Sequence, residues 1–190
     1  DNKIMVIDAD SRKVIKTGKV SDRRGNKTKK STASTMSVYP ANQQARAVAM
    51  SDRHKHLVVC SNIGKVSVRD FNSDDLSRKV ATLKEPKEWC EAAKFSPDES
   101  MLAIGSHDCN IYLYRVSDGG EYSLYSTFTS HNSFITAIDW SEDGKYIRSS
   151  CGAYEKLYYN VEDKEHCPHG VSETKDVMFA SHEVKLGWDV

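Results

Sequence analysis

Shifted against itself by 45 positions, the chain lays three of its segments on one another without a gap. "RAVAMS" (46–51) falls on "EAAKFS" (91–96) and then on "TAIDWS" (136–141), while Leu57 falls on Leu102 and Ile147. Further along, "KVSVRDF" (65–71) meets "NIYLYRV" (110–116) and, offset by one at its first residue, "KLYYNV" (156–161). A fixed period constrains a fold more than any local motif does, because each copy must build the same unit and stack on its neighbours.

Each copy reads as strands. A polar turn ("DRHKH", "PDES", "EDGK") follows the first alternating run and leads into a second apolar one ("LVVC", "MLAIG", "YIRSS"). Another turn ("SNIG", "SHDC", "CGAYE") precedes a third run rich in Val, Ile and Tyr, and "KVATL" (79–83) and "YSLYSTF" (122–128) supply fourth strands. Period-2 alternation, β-branched and aromatic enrichment and turn residues between the runs point to antiparallel strands. Four of them per roughly 40–45 residues is the period of a propeller blade. At the ends, "KIMVIDAD" (3–10) aligns with the third strand of a blade, "DVMFAS" (176–181) with a first strand, and "VKLGWDV" (184–190) with the strand after it. The prediction is an all-β propeller fragment of three full four-stranded blades plus two partial ones. Residues 1–20 end a blade, 21–40 form a basic and polar connection, 44–84, 89–129 and 134–170 are blades, and 174–190 begin another. Since a ring needs more blades than these, the remainder is expected from the rest of a longer polypeptide.

"FSPDES", "DWSEDGKY" and Ser130-His131 resemble the WD-repeat pattern, with "SH" where "GH" is usual. Tyr114-Arg115, Tyr159-Asn160 and Arg69-Asp70 stand where Trp-Asp is usual. Residues 90–161, above all "LAIGSHDCNIYLY", look like the echinoderm microtubule-associated protein-like family, and the tail "KDVMFASHEVKLGWDV" is similar to the segment that follows there. That resemblance implies a tandem β-propeller region in a cytoplasmic, cytoskeletal protein that associates with microtubules or tubulin. A general WD-repeat scaffold for other protein complexes is the alternative.

Ser106, His107, Asp108 and Cys109 stand side by side, but adjacent strand-end residues point to alternate faces and cannot converge on one reacting atom. Asp108 is expected to cap its turn through nearby backbone N–H groups. His166, Cys167 and His169 ("HCPH") offer three of the four ligands that a structural zinc needs, so the segment reads as a solvated loop between blades. The five scattered cysteines are expected to be reduced thiols. No catalytic residue, metal or cofactor is expected. Of the tryptophans, Trp140 is expected in the core with its repeat equivalents Phe95 and Met50, and Trp89 at the surface.

With 27 basic and 27 acidic residues the chain has no global pull toward nucleic acid or membrane. No apolar run approaches the roughly 18 residues of a membrane span, and no secretory signal is visible at the start. Locally the balance breaks. Residues 11–30 hold nine Lys or Arg against one Asp, leaving the rest of the chain acidic by the same margin. Lys16, Lys19, Arg23, Arg24, Lys27, Lys29 and Lys30 are therefore the candidate partner contacts, suited to acidic tubulin tails. Nucleic acid is disfavoured, because no RNA-binding aromatic signature accompanies them.

Overall fold

The computed structural model describes residues 3–7, 13–19, 44–73, 76 and 78–184. Three four-stranded antiparallel sheets follow one another along the chain. The first holds β3 (Ala45–Ser51), β4 (His56–Ser61), β5 (Val66–Asp70) and β6 (Lys79–Leu83). The second holds β7 (Cys90–Phe95), β8 (Met101–Ser106), β9 (Ile111–Val116) and β10 (Tyr122–Phe128). The third holds β11 (Ile135–Trp140), β12 (Tyr146–Cys151), β13 (Lys156–Asn160) and the two-residue β14 (Glu165–His166). Their first strands β3, β7 and β11 lie side by side, so the sheets fan out as blades of a propeller. A hairpin of β1 (Lys3–Ile7) and β2 (Val14–Lys19) precedes them, and one short helix, α1 (Gly170–Glu173), follows β14.

Burial on both faces explains why the second strands read as unbroken apolar runs. Every residue of β4 and of β8 is buried. Strand alternation then sends neighbours into different cores. Leu102 and Ile104 join Val58, Val66, Val68, Tyr112 and Tyr114 between the first two blades. Ala103 and Leu113 join Ile135, Ile138, Trp140 and Ile147 between the second and third. Gly105 keeps that second interface tight, since a Cβ there would lie 2.4 Å from Ile135 Cγ2. Each such buried aliphatic side chain contributes about 1.5–3 kcal/mol.

The repeat also writes its turns. Ser51, Ser96 and Ser141 close the three first strands and are buried. Their hydroxyls accept from the backbone N–H of His54 (3.0 Å), Met101 (3.0 Å) and Tyr146 (2.8 Å). At the opposite end each first strand carries an irregularity at the same place, between Ala45 and Ala47, Cys90 and Ala92, and Ile135 and Ala137. Such a bulge re-aims the extra residue, here Arg46, Glu91 and Thr136.

Two expectations need correction. Met50 does not face inward like Trp140. It is 50% exposed, because the preceding hairpin, through Val6, covers only the Leu57 and Val59 part of that face. The "HCPH" segment is no solvated loop: Glu165–His166 pairs with β13, Cys167 is buried, and Gly170 packs on Tyr158. The basic stretch overlaps β2, which holds Lys16 and Lys19.

Candidate functional site

The bulged ends of the first strands and the second turns of the blades together form one rim. At this rim Gln44, Trp89 and Phe134 occupy equivalent repeat positions. Their carbonyls accept from the N–H groups of Asn62 (3.0 Å), His107 (2.6 Å) and Gly152 (2.9 Å). Trp89 is 40% exposed, as expected for it, and Phe134 is 39% exposed. Between them stands His107, 5.3 Å from the Trp89 ring and stacked 4.7 Å from Phe134. The Arg46 guanidinium sits 4.4 Å over the other end of this row, on Trp89. One continuous line of side chains thus crosses all three blades.

Ser106, His107 and Asp108 do not converge on one reacting atom. Ser106 is buried, with its hydroxyl directed at the Glu88 carbonyl. His107 Nε2 lies 3.1 Å from a Glu91 carboxylate oxygen, turned away from Ser106 chemistry. Asp108 does cap its turn, accepting from the N–H of Asn110 (3.2 Å) and of Lys87 (3.0 Å), and it also takes the Tyr112 hydroxyl (2.9 Å).

A second cluster ties the third blade together. His131 Nε2 is 2.7 Å from Ser149 Oγ, and its Nδ1 is 3.6 Å from Glu155. The buried Tyr159 ring lies beside it at 6.2 Å. Glu155 also accepts from Asn132, whose side-chain and backbone N–H groups hold its carboxyl down at about 2. Burial lowers the His131 pKa and outweighs the opposing Glu155 charge, so the imidazole is neutral in the fold. Cys151 completes the group, with donor atoms of His131, Cys151 and Glu155 within 4.8 Å of one another. This trio could approach a soft divalent ion, yet a structural zinc asks for four ligands and the Glu155 oxygens are already engaged by Asn132 and the Cys151 thiol. It reads as a tie between the His131 segment, β12 and the turn before β13, with Tyr159 standing where a WD repeat carries Trp. His131→Ala is expected to cost about 1–3 kcal/mol, because it strands the buried Ser149 hydroxyl. A lower urea midpoint at unchanged slope is the readout.

The charged segment contributes less to the described surface. The Lys16 ammonium donates to the Phe71 carbonyl and lies 4.8 Å from the Phe71 ring, which docks it on the first blade. The Lys19 side chain, Arg23, Arg24, Lys27, Lys29, Lys30 and Trp188 lie outside the described residues. No helix among the described residues is long and apolar enough to cross a membrane.

Residues 1–190 match the family described as the echinoderm microtubule-associated protein second beta-propeller. The chain is 39% identical over 189 residues to the ciliary WD repeat-containing protein ctxp80 of Euplotoides octocarinatus, covering 99% of this chain and 26% of that protein. It is 38% identical over 130 residues to echinoderm microtubule-associated protein-like 4 of Homo sapiens, covering 67% of this chain and 13% of that one. It therefore spans only 13–26% of the length of these relatives. Among solved structures, a chain of the mitotic checkpoint complex superposes with a TM-score of 0.64 at 14% identity, over 87% of this chain and 43% of that one. That likeness bears on the fold alone.

Proposed function

Because the chain belongs to the echinoderm microtubule-associated protein-like family of WD-repeat propellers, we propose that it is a non-catalytic platform through which a cytoskeletal protein binds microtubules or tubulin. The observation that carries this reading is the family match over all 190 residues. Physical support comes from the basic stretch, whose Lys16, Lys19, Arg23, Arg24, Lys27, Lys29 and Lys30 suit an acidic protein surface. Further blades are supplied by the rest of a longer chain, and the protein resides in the cytoplasm on the cytoskeleton.

Co-sedimentation of the full-length protein with microtubules at two salt concentrations tests this. It is expected to pellet at low salt and to be released as salt rises, since exposed charges are screened within about 8 Å at physiological ionic strength. Reversing Arg23 and Arg24 to Glu should lower the pelleted fraction severalfold. Recovery only in the supernatant at both salts would remove the tubulin reading and leave a scaffold for other proteins.

A further inference from the structure

Two columns of the repeat meet between successive blades, and the two interfaces fill them differently. Across the second interface Gly105, near the end of β8, faces Ile135 at the start of β11. A Cβ on Gly105 would lie 2.9 Å from Ile135 Cβ and 2.4 Å from its Cγ2. One register earlier the same columns hold Cys60 and Cys90. Cys60 pairs with Ala47 as Gly105 pairs with Ala92, and Cys90 opens β7 as Ile135 opens β11. At the second interface one partner gives up its side chain and the other is large. At the first, two thiols share the contact.

Both cysteines are fully buried and belong to the one core cluster between the first two blades. Real Cβ atoms do not approach within 3.0 Å, so two side chains at this contact stand slightly further apart than the 2.9 Å above. That moves them toward the roughly 3.5–4.5 Å between the Cβ atoms of a disulfide. Their mutual influence fits this proximity. Burial first, and then the charge of Cys90, push the Cys60 thiol well above its ordinary value. Burial pushes the Cys90 thiol up to about 12. Cys90 Sγ donates only a long bond, 3.4 Å, to the Glu88 carbonyl, and a thiol is a weak donor. Little therefore holds this sulfur in its reduced position.

We propose that Cys60 and Cys90 are a redox pair that closes to a reversible disulfide between the first and second blades. The oxidant is a small disulfide of the oxidised glutathione class. Cys90 reacts first, because it follows the half-exposed Trp89 at the mouth of the interface. Its thiolate attacks one sulfur of the oxidant and releases the other as a glutathione thiol. The Cys60 thiolate then attacks Cys90 Sγ of the mixed disulfide, forming the Cys60–Cys90 bond and releasing the second glutathione thiol. The two protein thiol protons leave with the two glutathione molecules, and two electrons pass from the protein to the oxidant. Burial keeps both thiols protonated while the interface is closed, so the exchange starts only as the blades part. Once formed, the bond opposes that parting. The inference does not depend on tubulin being the partner.

Folded full-length protein incubated with oxidised glutathione, alkylated, digested without reduction and mapped by mass spectrometry tests the assignment. A peptide pair joined through Cys60 and Cys90 is expected, and reduced glutathione should reverse it. Closing the loop from 60 to 90 should slow amide exchange in β4 and β7 by about two orders of magnitude relative to the reduced protein. Cys60→Ala and Cys90→Ala, which remove the sulfur at little change in volume, should each abolish both the link and the slowing on oxidation. The unaltered protein carries the test even where a variant folds poorly. A folded protein whose Cys60 and Cys90 are both still alkylated after oxidation overturns the proposal. So does a link that forms only in urea, a lasting glutathione adduct on Cys90, or a link of either residue to Cys109. None of these outcomes depends on microtubule co-sedimentation.

Discussion

Replacing Asp139 with Ala is expected to destabilise the third blade's junction by about 3–5 kcal/mol, the cost of removing one partner from a buried ion network. Asp139 is fully buried and its two oxygens accept from five residues. Lys94 reaches it from the second blade at 3.3 Å, and Arg148 from its own blade at 3.1 Å. Ser181 Oγ (2.5 Å) and the N–H groups of Glu183 (3.1 Å) and Val184 (2.9 Å) reach it from the segment that follows. Without the carboxylate, Arg148 loses its carboxylate partner in a partly buried site, Lys94 keeps only Glu183 (2.9 Å), and 181–184 loses its anchor. Amide exchange at Ala180, whose N–H bonds the Trp140 carbonyl, is the local readout. It should accelerate by about two to three orders of magnitude, with a smaller change for Asp139→Asn.

Acid should act on the same blade in two stages. Burial alone would raise the Asp139 carboxyl, but the Ser181 hydroxyl, the Val184 and Glu183 N–H groups and the Lys94 charge outweigh it and hold the group below its usual value. A depressed carboxylate stabilises fully above its ordinary value of 3.8, and that stabilisation is lost as pH falls through the folded value. His131, also depressed, contributes fully above its ordinary 6.5 and less as pH falls through its folded value. Loosening around His131 therefore comes first on acidification, and the junction at Asp139 yields later.

The 45-residue register exposed most of the architecture because period-2 runs long enough to alternate leave a pattern, as β6 does. β14 escaped notice because two residues cannot show a period. The same shift already aligned Lys94 with Asp139, opposite charges at one position of successive blades, which is the sequence signal for the clamp between them. It also aligned Trp89 with Phe134 just ahead of the first strands. What the column could not show was His107 wedged between them, since that contact depends on how far one blade is rotated against the next. The WD-like tie at His131 was visible only by half: Ser130-His131 marked it, but Glu155 and Tyr159 are not the usual partners.

Trp140→Ala is expected to cost about 3–5 kcal/mol, a cavity penalty added to lost burial. The indole is 1% exposed in the core shared with Ile138, Ala103 and Leu113, and its Nε1 donates to the Lys94 carbonyl at 3.1 Å. Trp140→Phe keeps most of the ring volume and gives up that hydrogen bond, so it should cost about 1 kcal/mol beyond the smaller loss in packing. Urea unfolding followed by far-ultraviolet circular dichroism, which does not rely on the indole as reporter, reads both as falls in midpoint. The two effects also separate in space. Trp140 packs toward the second blade, while Asp139, one residue earlier on the same strand, binds the segment that follows the third as well as Lys94 of the second. Trp140→Ala should therefore raise exchange in β7 and β8 and spare 180–184, whereas Asp139→Ala should raise it above all in 180–184. Identical exchange patterns for the two would mean that the blades open together, and that the alternation of β11 does not divide its load between neighbours.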